Sequence, residues 1–303
     1  MGHGLYLLYG CIADLLLPDG NHIVSCASSF EEHKAIENFV VYSKQLLNVD
    51  IMNDLSGKTA IVTGGASGIG EATALLYAKN GCNVVVSDLH EEKGNAVVEK
   101  IKQAGAKAIF IKADVSKPDE CQNLVNKTIE AFGSVDMAFN NAGIGGESNP
   151  VADMSIEGWN TVINVNLSSV FYCMKYELTQ MVKQGRGSIV NNSSILGQVG
   201  FANAAAYVAA KHGVVGLTQS AALEYSAQNI RINAIGPGFI NTPLLTEAGM
   251  DDSVKQSVLV PMHPIGRLGE SREVAELVLW LSSDKASFIT GSYYAVDGGY
   301  LAR

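Results

Sequence analysis

The chain has 303 residues, 47% hydrophobic and 17% charged, with 31 glycines and 7 prolines, a composition for one large globular domain or two smaller ones. A formal net charge of −9 excludes a basic nucleic-acid footprint. Five scattered cysteines without a CxxC exclude a disulfide framework and point to reduced thiols in a cytoplasm, and six histidines without ligand spacing argue against a catalytic metal.

Residues 1–51 are the odd part. GLYLLYGCIADLLLP resembles a signal h-region, but the first thirty residues hold no Lys or Arg, Asp14 interrupts the apolar run, and no small-residue cleavage site follows. The run is also too short to span a bilayer. EEHKAIENFVVYSKQLLNV (31–49) has the pattern of one amphipathic helix. MNDLSGKTAIVTGG, from Met52, looks like a natural beginning. Residues 1–51 therefore read as an extension of unknown role, or as the product of a start set too far upstream, rather than a targeting signal.

From Lys58 onward, short apolar runs at 59–64, 83–88, 108–114, 135–141, 187–194, 230–238 and 292–296 read as strands. Most lack clean alternation, as expected of strands covered on both faces. Helical patterns fall between them at about 68–80, 90–104, 117–132, 155–184, 204–227 and 271–283. This alternation predicts an α/β fold with a doubly wound, mainly parallel sheet, formed by residues 52–303 as one domain.

TGGASGIG (63–70) follows the first strand and opens the first helix. Gly64, Gly68 and Gly70 allow a tight turn and close approach of backbone to a ligand, and the helix N-terminus offers N–H groups to a pyrophosphate. Asp88 closes the second strand 18 residues past Gly70, where a carboxylate would bind ribose hydroxyls. Its bland alternative is a helix cap before EEKGNA. With Ser67 in the turn and Leu89 after the acid, no Arg or Lys stands ready for a 2′-phosphate, which predicts NAD over NADP.

AAYVAAKHG (205–213) places Tyr207 and Lys211 one helical turn apart on one face. Alone, that is a surface helix whose lysine covers a ring. With the other motifs, the chain resembles the short-chain dehydrogenase/reductase family over about residues 53–303. TGGASGIG resembles its TGxxxGIG turn, NNAG (140–143) its motif after the fourth strand, and YVAAK its YxxxK, with Ser194 thirteen residues before Tyr207.

The resemblance implies a Rossmann fold and a catalytic set of Asn166, Ser194, Tyr207 and Lys211. Ile69 of the glycine turn and Leu89 join the cofactor contacts, as do Asp114 and Val115 beside adenine. Asn141, Ala142 and Gly143 would lie near the cofactor, and Pro237, Gly238, Ile240 and Thr242 would hold the nicotinamide carboxamide. Tyr207 would exchange the substrate proton, its phenol lowered by Lys211 and the nicotinamide charge. Ser194 would donate to the substrate oxygen, and Asn166 would hold a water linking Lys211 to solvent. Ser194 could equally cap a strand end, Asn166 a turn.

The substrate is expected between Ser194, Gln198, Tyr207 and a lid over 242–268, where Leu244, Leu245, Val258, Leu259 and Met262 line the pocket or bury the lid. A secondary alcohol or its ketone is implied: a sugar, as in glucose 1-dehydrogenase-like members, a cyclic alcohol or a steroid-like ring. The rivals are a 3-oxoacyl-carrier-protein reductase and a non-catalytic NAD-binding sensor. The family further implies a homotetramer paired through 155–184 and 204–227, with no nucleic-acid or membrane partner.

Overall fold

The computed structural model describes residues 55–247 and 249–303. The extension, its expected helix over 31–49, Cys11, Cys26 and the Met52 start lie outside the described residues. Seven strands form one parallel sheet: β1 (Thr59–Thr63), β2 (Asn83–Asp88), β3 (Ala108–Lys112), β4 (Met137–Asn140), β5 (Gly187–Asn192), β6 (Ile230–Pro237) and β7 (Tyr293–Val296), in spatial order β3-β2-β1-β4-β5-β6-β7. The order reverses between β1 and β4, where a crevice opens beyond the strand ends.

The apolar strands feed two cores, because successive residues point to opposite faces. Ala60, Val62, Val84 and Val86 pack against α1 (Gly68–Lys79), α2 (Glu91–Gln103) and a late helix, Ser271–Ser282. Ile61, Val85, Ala138 and Ile189 pack on the other face against α3 (Pro118–Phe132), α5 (Ser169–Gln184) and α6 (Ala205–Tyr225). Between α3 and α5 lies α4 (Ile156–Ile163); the Ser271–Ser282 helix is α7. The sheet is doubly wound, as the alternation of patterns implies.

One element departs from the sequence pattern. The helix expected over 155–184 is α4 and α5 joined by a five-residue π-helical stretch, Asn164–Ser168. The wider turn carries Asn166 to full burial, and such stretches tend to mark functional positions. Strand β5 stops at Asn192, which leaves Ser193 and Ser194 beyond its carboxyl end.

At the opposite end of the sheet, the buried Asp136 carboxylate accepts from Thr59 N (3.0 Å), Ser134 Oγ (2.7 Å) and Arg186 Nε (2.9 Å). Burial pushes its carboxyl up, but these bonds outweigh burial and hold it below the ordinary value. A depressed carboxyl stabilises the fold above the unfolded-state pKa of ~4, and that contribution is lost as pH falls through the lower folded value. Asp136→Ala should cost about 2–3 kcal/mol in urea unfolding near pH 7, because buried donors lose their acceptor. The gap from the parent should narrow below about pH 4; a constant gap down to pH 2 would contradict the assignment.

Candidate active site

The first wall of the site is the turn from β1 into α1. Gly64 and Gly68 have φ of +61° and +55°, a region unfavourable to residues with a Cβ. A Cβ on Gly70 would run into the Gly64 carbonyl, and one on Gly64 would sit 2.9 Å from Ala142 Cα. The turn thus packs on the loop after β4. Ser67 caps α1 without a side-chain bond, which leaves the first helical N–H groups to a ligand anion. Ile69 packs against the core. On the outer side of Gly68, a Cβ would lie 3.3 Å from Thr242 Cγ2, so the glycine turn and the segment after β6 face each other.

Asp88 braces this turn. Its Oδ2 accepts from Ala66 N at 3.1 Å, and its Oδ1 from His90 N and Nδ1, each at 3.0 Å. Asp88 is not the helix cap: His90 occupies that position in α2, without a side-chain capping bond. The carboxylate retains lone pairs for a ribose, since two oxygens offer about four acceptor sites. Leu89 beside it is exposed. Asp114 is engaged by Ser116 (N and Oγ at 3.1 and 2.6 Å) and by Lys117 at 3.3 Å. Burial raises its carboxyl, and these partners more than reverse that. Val115 is buried against Cys121 and Cys173.

The opposite wall is a chain of polar contacts across the sheet. Thr63 Oγ1 receives Asn141 N (3.0 Å) and Ala142 N (3.2 Å). Asn141 Nδ2 donates to the carbonyls of Thr63 (3.0 Å) and Gly64 (3.2 Å), and its Oδ1 accepts from Asn192 Nδ2 at 2.9 Å. Asn192 O accepts from Lys211 Nζ at 2.7 Å. The same ammonium lies 5.5 Å from the centre of the Tyr207 ring, and the Ser194 side chain lies close enough to the Tyr207 hydroxyl to favour its ionised form. Ser194 Oγ accepts from Leu196 N at 3.1 Å. It therefore caps the turn after β5, at a position beside the tyrosine.

Lys211 is 3% exposed, and burial pulls its ammonium down to about 8. Burial pushes the Tyr207 phenol above its ordinary value, opposed by the Ser194 side chain. The protein by itself therefore raises the phenol, contrary to the lowering that the expected role as a base asks for. His212 is exposed and bonds its own helix at Val208 O (2.9 Å), away from this cluster.

Asn166 uses both ends of its amide on Ile144: Oδ1 accepts from the N–H and Nδ2 donates to the carbonyl, each at 2.8 Å. Gly143 lies between, where a Cβ would be 3.1 Å from Asn166 Oδ1 and 3.7 Å from Lys211 Nζ. Pro237 and Ile240 are buried, and Gly238 is partly so. Gln198 is exposed at the end of the turn that Ser194 caps. In the lid, Leu244 and Val258 are exposed, Leu245 and Met262 half-buried, and Leu259 is buried at 2%. Leu259 is thus a buried anchor of this segment, while Leu244 and Val258 face solvent.

Four contributors went unread in the sequence: Thr63, Asn192, Ser193, whose Oγ donates to Lys211 O at 2.8 Å, and Tyr293, whose hydroxyl donates to Ser194 O at 2.9 Å. The available signal was the polar run NNSS at the carboxyl end of a central strand, where α/β sheets bind ligands.

The family described as Enoyl-(Acyl carrier protein) reductase matches residues 64–301. A cyclohexanol dehydrogenase of Acinetobacter sp. (strain SE19) is 49% identical over 251 residues, 83% of this chain and 98% of the relative. A 2,5-dichloro-2,5-cyclohexadiene-1,4-diol dehydrogenase of Sphingobium indicum is 46% identical over 83% of this chain and all of the relative. The crystal structure of levodione reductase superimposes with a TM-score of 0.79 at 36% identity, covering 82% of this chain and 98% of that one. With the glycine turn, the Ser–Tyr–Lys cluster and these relatives together, the chain belongs to the short-chain dehydrogenase/reductase family of oxidoreductases acting on alcohols and ketones.

Proposed function

We propose that this chain is a cytoplasmic, NAD-dependent dehydrogenase of a secondary alcohol on a six-membered carbon ring, with residues 52–303 as its catalytic domain. The observation that carries the reading is the Ser194–Tyr207–Lys211 cluster joined through Asn192 and Asn141 to the glycine turn. When bound, NAD supplies the hydride acceptor and, in its oxidised form, a positive charge beside the phenol. The turn over 64–70 would hold its diphosphate, Asp88 its adenosine ribose, and Pro237, Gly238, Ile240 and Thr242 its carboxamide.

The chain's own residues handle the proton. Tyr207 Oη takes it from the substrate hydroxyl in oxidation and returns it in reduction. Ser194 Oγ, whose lone pair is engaged by Leu196 N, keeps its own hydrogen to donate to the substrate oxygen as charge develops there. A positive charge held near the phenolate oxygen favours its ionised form. Lys211, whose ammonium lies over the ring, and the charge of the oxidised cofactor would jointly supply the ~4 kcal/mol that three pKa units require. Asn166 fixes the 143–144 loop beside Lys211, and we assign it the water that relays protons outward.

Ring alcohols are favoured over sugars because two similar relatives are named for cyclohexanol and a cyclohexadiene-diol. Asp88 disfavours the NADPH such reductases prefer, and the net charge of −9 disfavours docking of an acidic acyl carrier. The intact Ser, Tyr and Lys disfavour a mere sensor. Membership of the family supports a homotetramer paired through 155–184 and 204–227.

A screen following NADH absorbance should rank cyclohexanol-type substrates above glucose and acetoacetyl thioesters; turnover of the thioester alone would replace this reading with the acyl-carrier reductase. Tyr207→Phe should keep NADH binding and lose roughly 10²–10⁴-fold in kcat, and most activity surviving would refute the role. A raised phenol is protonated near neutrality, so oxidation should speed up and reduction slow down as pH rises from 7 to 10; parallel profiles would count against Tyr207 as the shared acid and base. NAD should be preferred to NADP by about 100-fold or more, from several kcal/mol of repulsion at Asp88, and Asp88→Asn should shrink that ratio.

A further inference from the structure

We propose that His263 is a positioning residue for the nicotinamide end of the cofactor site: its imidazole holds the Pro237-Gly238-Phe239 turn through the Phe239 N–H and ties it to the lid at Leu259. The inference rests on the reading above, that residues 237–242 receive the nicotinamide.

His263 is 3% exposed. Its Nδ1 is 2.8 Å from Leu259 O, and its Nε2 is 3.2 Å from Phe239 N. A carbonyl only accepts and an amide N–H only donates, so the two partners assign a neutral ring with its hydrogen on Nδ1 and an acceptor at Nε2. The other backbone bonds of the turn go to backbone: Gly238 N to Val296 O (3.0 Å), Gly269 N to Phe239 O (3.0 Å) and Asn241 N to Gly269 O (2.8 Å). Phe239 N is held by a side chain, and that side chain belongs to the lid's last turn.

The ring also takes the space beside the glycine. A Cβ on Gly238 would lie 2.9 Å from His263 Nε2 and 3.0 Å from Asp297 Cα. Phe239 and Tyr300 meet the imidazole at 5.8 and 5.7 Å between ring centres. A cavity of about 60 Å³ lined by Gly238, His263, Ile265 and Val296 borders the same ring. Packing therefore leaves the imidazole room to tilt, and its two hydrogen bonds set its orientation. A shift of that ring moves the backbone two residues from Pro237, where small misplacement costs turnover.

Two substitutions separate the bonds. His263→Gln can place an oxygen near the Nε2 position and keep the acceptor for Phe239; His263→Asn reaches only the Nδ1 position and keeps the donor to Leu259. Both lose the aromatic contacts, so packing loss is shared. His263→Asn should raise the Kd for NADH and the KM for NAD by about tenfold, as expected for a buried N–H left unpaired. Its kcat should fall less, and His263→Gln should stay within about threefold of the parent in both constants. Equal NADH binding by the two variants, whether intact or weakened alike, overturns the proposal. Parent protein that binds no NADH overturns the cofactor reading and this inference with it. If neither variant folds, hydrogen exchange of the parent at single-amide resolution decides: the Phe239 amide should exchange slowly and slow further with NADH, and exchange as fast as an exposed amide overturns the proposal.

Discussion

The site depends on one buried bond, from the Lys211 ammonium to the Asn192 carbonyl at 2.7 Å. A lysine 3% exposed has lost most of its water, and a buried charge is tolerable only where acceptors replace that water. Asn192 provides one because β5 ends there and frees its carbonyl from the ladder. Its side chain reaches Asn141, and Asn141 reaches the carbonyls of Thr63 and Gly64. The Lys211 anchor and the glycine turn are therefore set by one set of bonds. Displacing either wall disturbs the other.

This connection runs along the carboxyl edge of the sheet because β1, β4 and β5 are parallel neighbours. Parallel pairing brings equivalent strand ends together, and the reversal of order between β1 and β4 opens the crevice there. Beneath it the interior is more polar than a packed core prefers. Asn140 Nδ2 donates to Glu177 at 3.0 Å and to Asn191 at 3.1 Å, and burial pushes the Glu177 carboxyl up to about 7. Asn140 Oδ1, Glu177 Oε1 and Asn192 Oδ1 find no hydrogen-bond partner among the described residues. Such groups reduce stability, and their concentration under the cleft fits the rule that a fold departs from its local optimum where it works.

The sequence carried the local features well. The apolar strand runs, the glycine turn and the Tyr207–Lys211 spacing all depend on neighbours within a turn or a strand, which periodicity reports. Contacts over long separations were illegible. Asn141 meets Thr63 across 78 residues and Tyr293 meets Ser194 across 99, and no local pattern encodes such a pairing. The break at Asn164–Ser168 was hidden because VINVNLSS keeps a helical rhythm while the backbone changes its hydrogen-bond partner by one residue. Asp88 was located correctly as an acid at a strand end, but its brace to Ala66 N needed the folded turn.

The least expected feature is electrostatic, and it bears on how the proposed reaction is controlled. Burial raises the Tyr207 phenol while it lowers the Lys211 ammonium to about 8, so the two groups are pushed toward a neutral pair. In that state the phenol is a poor base, because its ionised form lacks stabilising charge. Proton abstraction becomes cheap only when further positive charge enters the cleft. On the proposed reading, that charge comes with the oxidised cofactor, the same species that accepts the hydride. Reduction needs the opposite state, a protonated phenol, and the protein favours that state unaided. A single burial environment thus matches the protonation of Tyr207 to the direction in which hydride can move, without a separate switch.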